Sequence, residues 1–179
     1  MRKIVAVCSL AVLVLVVAAT MVRAQQDKSK RPSPPATAKC EIAGGKSITI
    51  DYSSPRKKGR VIFGDLVPYG QVWRAGANEA TTFVTTGDLM VGSAHIPAGS
   101  YTIFAIPDKS KWTLVISKKT GEWGTAYPGE KEDLARVDMK VASGAAMENF
   151  TISFDKGAKG CTLKMAWDTT VASVDVSTM

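Results

Sequence analysis

Residues 64–86 carry the densest mixture of charge, amide and aromatic side chains in the sequence. Asp65, Tyr69, Trp73, Arg74, Asn78 and Glu79 are set there among Gly64, Gly70 and Gly76. A guanidinium presents a planar fork of five N–H donors, suited to a carboxylate or phosphate. Asn78 adds both a donor and an acceptor. Asp65 and Glu79 supply carboxylates, and Tyr69 and Trp73 supply apolar faces with polar tips. Together these groups would line a small polar pocket for an anionic ligand or a sugar. With Glu79 or Asp65 as acid or base and Arg74 as its electrostatic partner, the same set would serve a hydrolase or lyase. A purely structural reading stands beside both: an Arg74–Glu79 ion pair, a Trp73 core plug and an Asn78 turn cap. Ion-pair networks imitate sites in this way. No residue receives a catalytic role from its type and spacing alone.

Other chemistry is thin. His95 is the sole histidine. Gly92-Ser93-Ala94-His95 is not a nucleophile elbow, and one histidine leaves no histidine-rich zinc site. Glu130, Glu132 and Asp133 lack the spacing of a calcium loop. No metal or cofactor is therefore expected. Trp123 and Tyr127 would either stack on sugar rings or seal one end of a β domain. Asn149-Phe150-Thr151 matches a glycosylation sequon by chance.

The elements that must position these residues read as strands. Ser47-Ile48-Thr49-Ile50-Asp51-Tyr52 alternates apolar and polar, as a half-buried strand does. Residues 81–86 are rich in β-branched and aromatic side chains. Gly87-Asp88 signals a two-residue turn, with Leu89-Met90-Val91 as the partner strand. Residues 101–106 and 112–117 flank Pro107-Asp108-Lys109-Ser110 and predict a hairpin. Residues 136–141, 150–154, 161–167 and 171–176 complete the set, with turns at 157–160 and at Asp168-Thr169-Thr170. About nine short strands with no sustained helical period predict an all-β protein, an antiparallel β-sandwich or a related barrel. Residues 64–82 form a shaped loop at its end.

The ends of the chain set its compartment. Arg2 and Lys3 precede an uncharged apolar run that closes at Val22-Arg23-Ala24, the pattern of a secretory signal peptide. The predicted organisation is a signal peptide at 1–24, a proline-rich flexible tether at 25–38 and one domain at 39–179. No membrane span would remain after cleavage, and the mature protein would be periplasmic or extracellular. Loss of Arg2, Lys3 and Arg23 lowers the net charge from +7 to +4. The basic run Arg56-Lys57-Lys58-Gly59-Arg60 has no interleaved aromatic, so it reads as a solvated face and argues against nucleic acid. Cys40 and Cys161 would be the mature cysteines. Export permits a disulfide between them, stapling the two ends of the domain, with two free buried thiols as the other arrangement.

Tyr52-Ser53-Ser54-Pro55, Lys58-Gly59-Arg60, Ile62-Phe63-Gly64, Leu66-Val67-Pro68-Tyr69-Gly70 and the segment Val72-Trp73-Arg74-Ala75-Gly76-Ala77-Asn78-Glu79-Ala80-Thr81-Thr82 resemble a family of exported bacterial proteins catalogued as a domain of unknown function. Ile96-Pro97-Ala98-Gly99-Ser100-Tyr101, Trp112-Thr113 and Trp167-Asp168 extend the resemblance over roughly residues 48–176. It implies an exported single domain and supplies no activity, cofactor or partner. The leading expectation is a non-catalytic envelope or extracellular binding module for a small polar ligand or envelope component. The alternatives are the hydrolase or lyase above and a structural envelope interaction protein. No oligomeric state is implied.

Overall fold

The computed structural model describes residues 27–179 apart from Thr125 and Lys159. The expected signal peptide lies outside the described residues. The chain divides into two compact units, Met1–Arg31 and Pro32–Met179. In the first, Asp27 caps a single 3-10 turn, Lys28–Lys30, by accepting from the Ser29 N–H.

The second unit holds β1 (Pro35–Ile42), β2 (Lys46–Ser53), β3 (Thr81–Thr85), β4 (Leu89–Val91), β5 (Ala94–Ile96), β6 (Gly99–Ile106), β7 (Lys111–Ser117), β8 (Asp133–Gly157) and β9 (Gly160–Thr178). They form one antiparallel sheet in the order β1-β2-β3-β6-β7-β8-β9-β4-β5, open at the β1 and β5 edges. No α-helix occurs among the described residues. The all-β antiparallel class expected from the strand spacing is the class found.

Alternation explains the strands. In β2, Ile48, Ile50 and Tyr52 are buried, and in β7 Trp112, Leu114 and Ile116 are buried on one face. The β6–β7 hairpin pairs Thr102 with Ser117 and Ile106 with Thr113, as the Pro107 turn predicts. The sheet then folds over itself. Cys40 of β1 is disulfide-bonded to Cys161 of β9. The Tyr52 hydroxyl accepts from the Ile152 N–H at 3.0 Å. The far half of the β8–β9 hairpin thus lies across β1 and β2 as a second layer. Ile48, Ile50, Phe83, Leu114, Phe150, Leu163 and Met165 belong to the core.

Three local readings need correction. β3 does not pair with residues 89–91; its neighbours are β2 and β6, while β4 pairs with β5 and β9. The Gly87-Asp88 signal fails because both edges of β3 are already taken. Asp88 instead accepts from the Ala98 N–H at 2.9 Å. The four expected late strands merge into two long ones. Asp168 adopts a positive φ of 52° there, and the ladder slips between Ser143 and Met147 and again before Thr151. Bulges of this kind bend a strand without ending it. Lastly, Pro35–Ala38, at the end of the stretch read as a tether, belongs to β1. This segment pairs with β2 in a register that runs from Pro35 opposite Ser53 to Ile42 opposite Lys46. Proline is tolerated because β1 is an edge strand.

Candidate functional site

The loop between β2 and β3 is built by a series of backbone anchors. Pro55 ends β2 and its carbonyl accepts from the Phe150 N–H at 2.9 Å. The basic run then docks on β8 and β9. Lys57 N–H donates to the Glu148 carbonyl at 2.7 Å, and Lys57 Nζ pairs with Asp168 at 2.6 Å. Reading this run as a freely solvated face was therefore incomplete: part of it is a fixed support. Ile62 is buried and Phe63 enters the aromatic core. Gly64 N–H donates to Val67 O and Val67 N–H to Ile62 O, both at 2.9 Å, which throws Asp65 and Leu66 out at a tight tip. Gly64 has φ +95°, and a Cβ there would stand 2.9 Å from the Tyr69 ring. Glycine is required on both counts.

Beyond Tyr69 the chain runs beside β6. Gly70 N–H donates to Pro107 O at 2.9 Å, and Trp73 exchanges two backbone hydrogen bonds of 2.8 Å with Ala105. This pairing drives the Trp73 ring into a cluster of rings. It stacks on Trp167 at 6.0 Å and meets Phe150 edge-on at 4.8 Å. Phe63 and Trp112 lie at 6.4 Å from it. The next segment is sewn to the ends of other elements. Ala75, at φ 50°, accepts from the Thr81 hydroxyl at 2.9 Å. Ala77 N–H donates to Ser53 O at 3.1 Å, and Ala80 N–H to Glu122 O at 3.1 Å.

Against that scaffold Arg74 stands out. Its side chain is partly buried, and burial pulls its pKa below the usual guanidinium value. Its Nε–H donates to Gly76 O at 3.3 Å. Among the described residues it has no carboxylate partner, so the Arg74–Glu79 ion pair is not formed. Arg74 lines a cleft of about 270 Å³ with Arg60, Leu66, Trp73, Ala77 and Trp167 among its walls. Among the described residues, no Asp or Glu lines this cleft. Arg60 turns two donors onto the Lys57 and Arg56 carbonyls at 3.0 and 2.5 Å. Guanidiniums carry five donors each, so both arginines keep N–H groups for an acceptor in the cleft. The result is a positive, partly desolvated hollow with indole walls.

The expected site residues separate. Trp73 and Arg74 come together in this cleft. Tyr69 lines a different hollow, with Asp108, Lys109 and Trp112. Asp65 is exposed at the loop tip. Asn78, at φ 57°, holds the loop: its Nδ2 donates to Ser33 O at 3.0 Å and its backbone carbonyl accepts from Gly124 N–H at 3.1 Å. Glu79 forms a backbone bridge to Trp123 and is not part of the cleft lining. Arg60 and Trp167 were missed as site residues. Arg60 could have been noticed as the last cation of its run, beside the apolar Val61-Ile62-Phe63. Trp167 is brought in by topology alone.

The weaker candidates resolve simply. His95 faces Asp88 at 3.5 Å on the surface. Trp123 is 61% exposed. Tyr127 packs edge-on to Phe104 at 5.3 Å and donates to Asp133 Oδ2 at 2.7 Å. Arg136 holds the same carboxylate at 2.8 Å. These two aromatics are therefore differently employed, one open to solvent and one tied into a polar network.

The family model described as "Protein of unknown function (DUF2911)" matches residues 33–176, and the chain belongs to that family. No curated protein and no solved structure matches it.

Proposed function

We propose that this family member is an exported binding module whose cleft at Arg60 and Arg74 takes a small anionic molecule. The observation that carries the reading is the Arg74 guanidinium, partly buried in a hollow that no carboxylate of the described residues lines. Burying a cation without a partner costs free energy. An anion entering the cleft would recover that cost through charge-assisted hydrogen bonds. The Trp73 and Trp167 walls favour a ligand with an apolar or ring-shaped body behind its charge. The cleft draws no support for acid–base chemistry from Asp65 or Glu79, since neither lines it. The signal-peptide pattern at residues 1–24 and the Cys40–Cys161 bridge support export, with N-terminal sequencing of the exported chain as its check. No helix among the described residues is long and apolar enough to cross a membrane.

The test is calorimetric titration of the mature protein with inorganic phosphate, citrate and glucuronate. At least one should bind saturably. Arg74→Met should weaken that binding by roughly tenfold to a hundredfold, the worth of one hydrogen bond to a charged group. A folded Arg74→Met protein with unchanged affinity would refute the reading.

A further inference from the structure

The two open edges of the sheet are not alike. β5 is three residues long and Pro97 follows it at once, a short edge that offers another strand little to pair with. β1 runs for eight residues, Pro35–Ile42. Contacts at its end and at the end of β2 fix which of its peptide groups are used. Ser54 N–H donates to Pro34 O at 2.9 Å, and Thr86 N–H donates to Ser47 O at 3.0 Å. The first sets Pro34 and Ser54 opposite one another in the hydrogen-bonded phase of the β1–β2 ladder. The second turns Ser47 toward β3 and so leaves its neighbours facing β1. Antiparallel pairs alternate between bonded and non-bonded, so Ala36, Ala38, Cys40 and Ile42 bond to β2. The N–H and C=O groups of Thr37, Lys39 and Glu41 point the other way, along the open edge.

The side chains of the same three residues are exposed, while those of Ala38, Cys40 and Ile42 are buried. The Thr37 hydroxyl is employed, donating to Asp51 at 2.6 Å. The Lys39 and Glu41 side chains have no hydrogen-bond or ion-pair partner among the described residues. A lysine on an open edge commonly deters pairing, and a proline such as Pro35 has no N–H to give. Lys39 alone would guard this edge. Glu41, on the same face, makes the edge complementary to itself.

The complementarity selects one register. A second copy of the same edge, related by a two-fold axis, runs antiparallel to the first. With Cys40 opposite Cys40 of the second copy, Lys39 stands across from Glu41 and Glu41 across from Lys39. Each such pair exchanges both of its backbone hydrogen bonds, and opposite charges directly across a ladder stabilise it. A shift of two residues either way sets Lys39 across from Lys39 or Glu41 across from Glu41, and like charges there are destabilising. A shift of one residue sets outward peptide groups against inward ones and turns exposed side chains toward the buried face. We infer that β1 is the docking edge for a second copy of this chain, joined antiparallel about Cys40 with Lys39 and Glu41 paired between the copies. This surface is independent of the anion reading, since neither residue lines the arginine cleft.

The experiment is sedimentation velocity of the mature protein at low salt. Concentrations run from about 10 μM to 1 mM, where a small interface saturates. The parent should pass from monomer to dimer across that range. Lys39→Glu sets carboxylates against each other across the edge, and Glu41→Lys sets ammoniums against each other. Each variant should weaken dimerisation about tenfold or more. An equimolar mixture of the two should dimerise as the parent does, because every carboxylate then meets an ammonium. Matched circular dichroism and Tm show that the variants are folded, and Arg74→Met should dimerise like the parent. A parent that stays monomeric throughout overturns the inference. So does either charge variant that dimerises as tightly as the parent, and so does a mixture that associates no better than its separate components.

Discussion

Replacing Arg74 with methionine removes the charge and keeps most of the apolar stem, so it separates electrostatics from packing. If Arg74 were half of a buried ion pair, breaking the pair would cost about 3–5 kcal/mol. Among the described residues it has no such partner. What the guanidinium gives the fold is one long hydrogen bond of 3.3 Å to Gly76 O. A hydrogen bond to a charged group contributes about 1.5–3 kcal/mol at good geometry, and 3.3 Å lies past the usual range. Against it stands the cost of partial burial, visible as the lowered pKa. The two effects oppose one another, and Arg74→Met is expected to change stability by no more than about 1 kcal/mol in either direction. For a domain of this size that is about 2–4 °C in Tm. The assay is calorimetric unfolding of the mature parent and variant at matched pH and salt. A loss of about 3 kcal/mol or more, on the order of ten degrees, would refute the argument. It would mean that the guanidinium holds the loop together and is not kept available for a ligand.

Two further expectations follow from the same structure. Cys40→Ser with Cys161→Ser opens a bridge across a sequence separation of 121 residues. The chain-entropy model assigns about 5 kcal/mol to a loop of that length, so Tm should fall by more than ten degrees, and reduction of the parent should reproduce the fall. An unchanged Tm would show that the bridge constrains nothing. Burial raises the pKa of the Tyr52 hydroxyl above its usual 10.0, partly opposed by its Ile152 hydrogen bond. The folded protein therefore holds a proton that the unfolded chain releases. That stability is complete below about pH 10 and is lost as pH rises through the folded value. Denaturant midpoints should fall above about pH 10, less steeply in Tyr52→Phe. An identical slope in that variant would remove Tyr52 from the cause.

How much of this was legible depended on whether the signal was local. Ile48, Ile50 and Tyr52 announce β2 because a half-buried strand must alternate. The β6–β7 hairpin was legible because Pro107 and its neighbours can form only a turn. β1 was hidden because Pro35, with Pro32 and Pro34 just before it, read as a tether. Its edge position and the Cys40–Cys161 bridge become visible only once β8 and β9 fold across it. The Gly87-Asp88 signal misled because a turn dipeptide says nothing about whether the strand beside it has a free edge. Asp168 misled in the other direction: its positive φ bends a strand that continues, where a turn would have reversed it.

The same distinction divides the candidate site. Trp73 and Arg74 are adjacent in sequence, and the Trp73–Ala105 pairing that sends one side chain inward leaves the next at the cleft. Their association is local and could be read. Asn78 was ambiguous because an amide that pins a positive-φ turn has the same composition as one that meets a ligand. Its side chain donates to Ser33 O and its backbone carbonyl accepts from Gly124 N–H, so both groups serve the loop's own structure. Trp167 and Trp112 arrive from distant strands, and no spacing rule could have placed them on either side of the same aromatic cluster. That cluster explains why one loop borders two unlike hollows. Phe63 faces Trp112 at 4.9 Å, while Trp73 stacks on Trp167. The loop enters the core through Phe63 and Trp73, with Val67 buried between them, and Leu66 and Tyr69 stay outside. They are 42% and 37% exposed, and each borders a different hollow. A segment fixed at both anchors holds its exposed side chains in place without any ligand, so binding at either hollow would require little ordering of the protein.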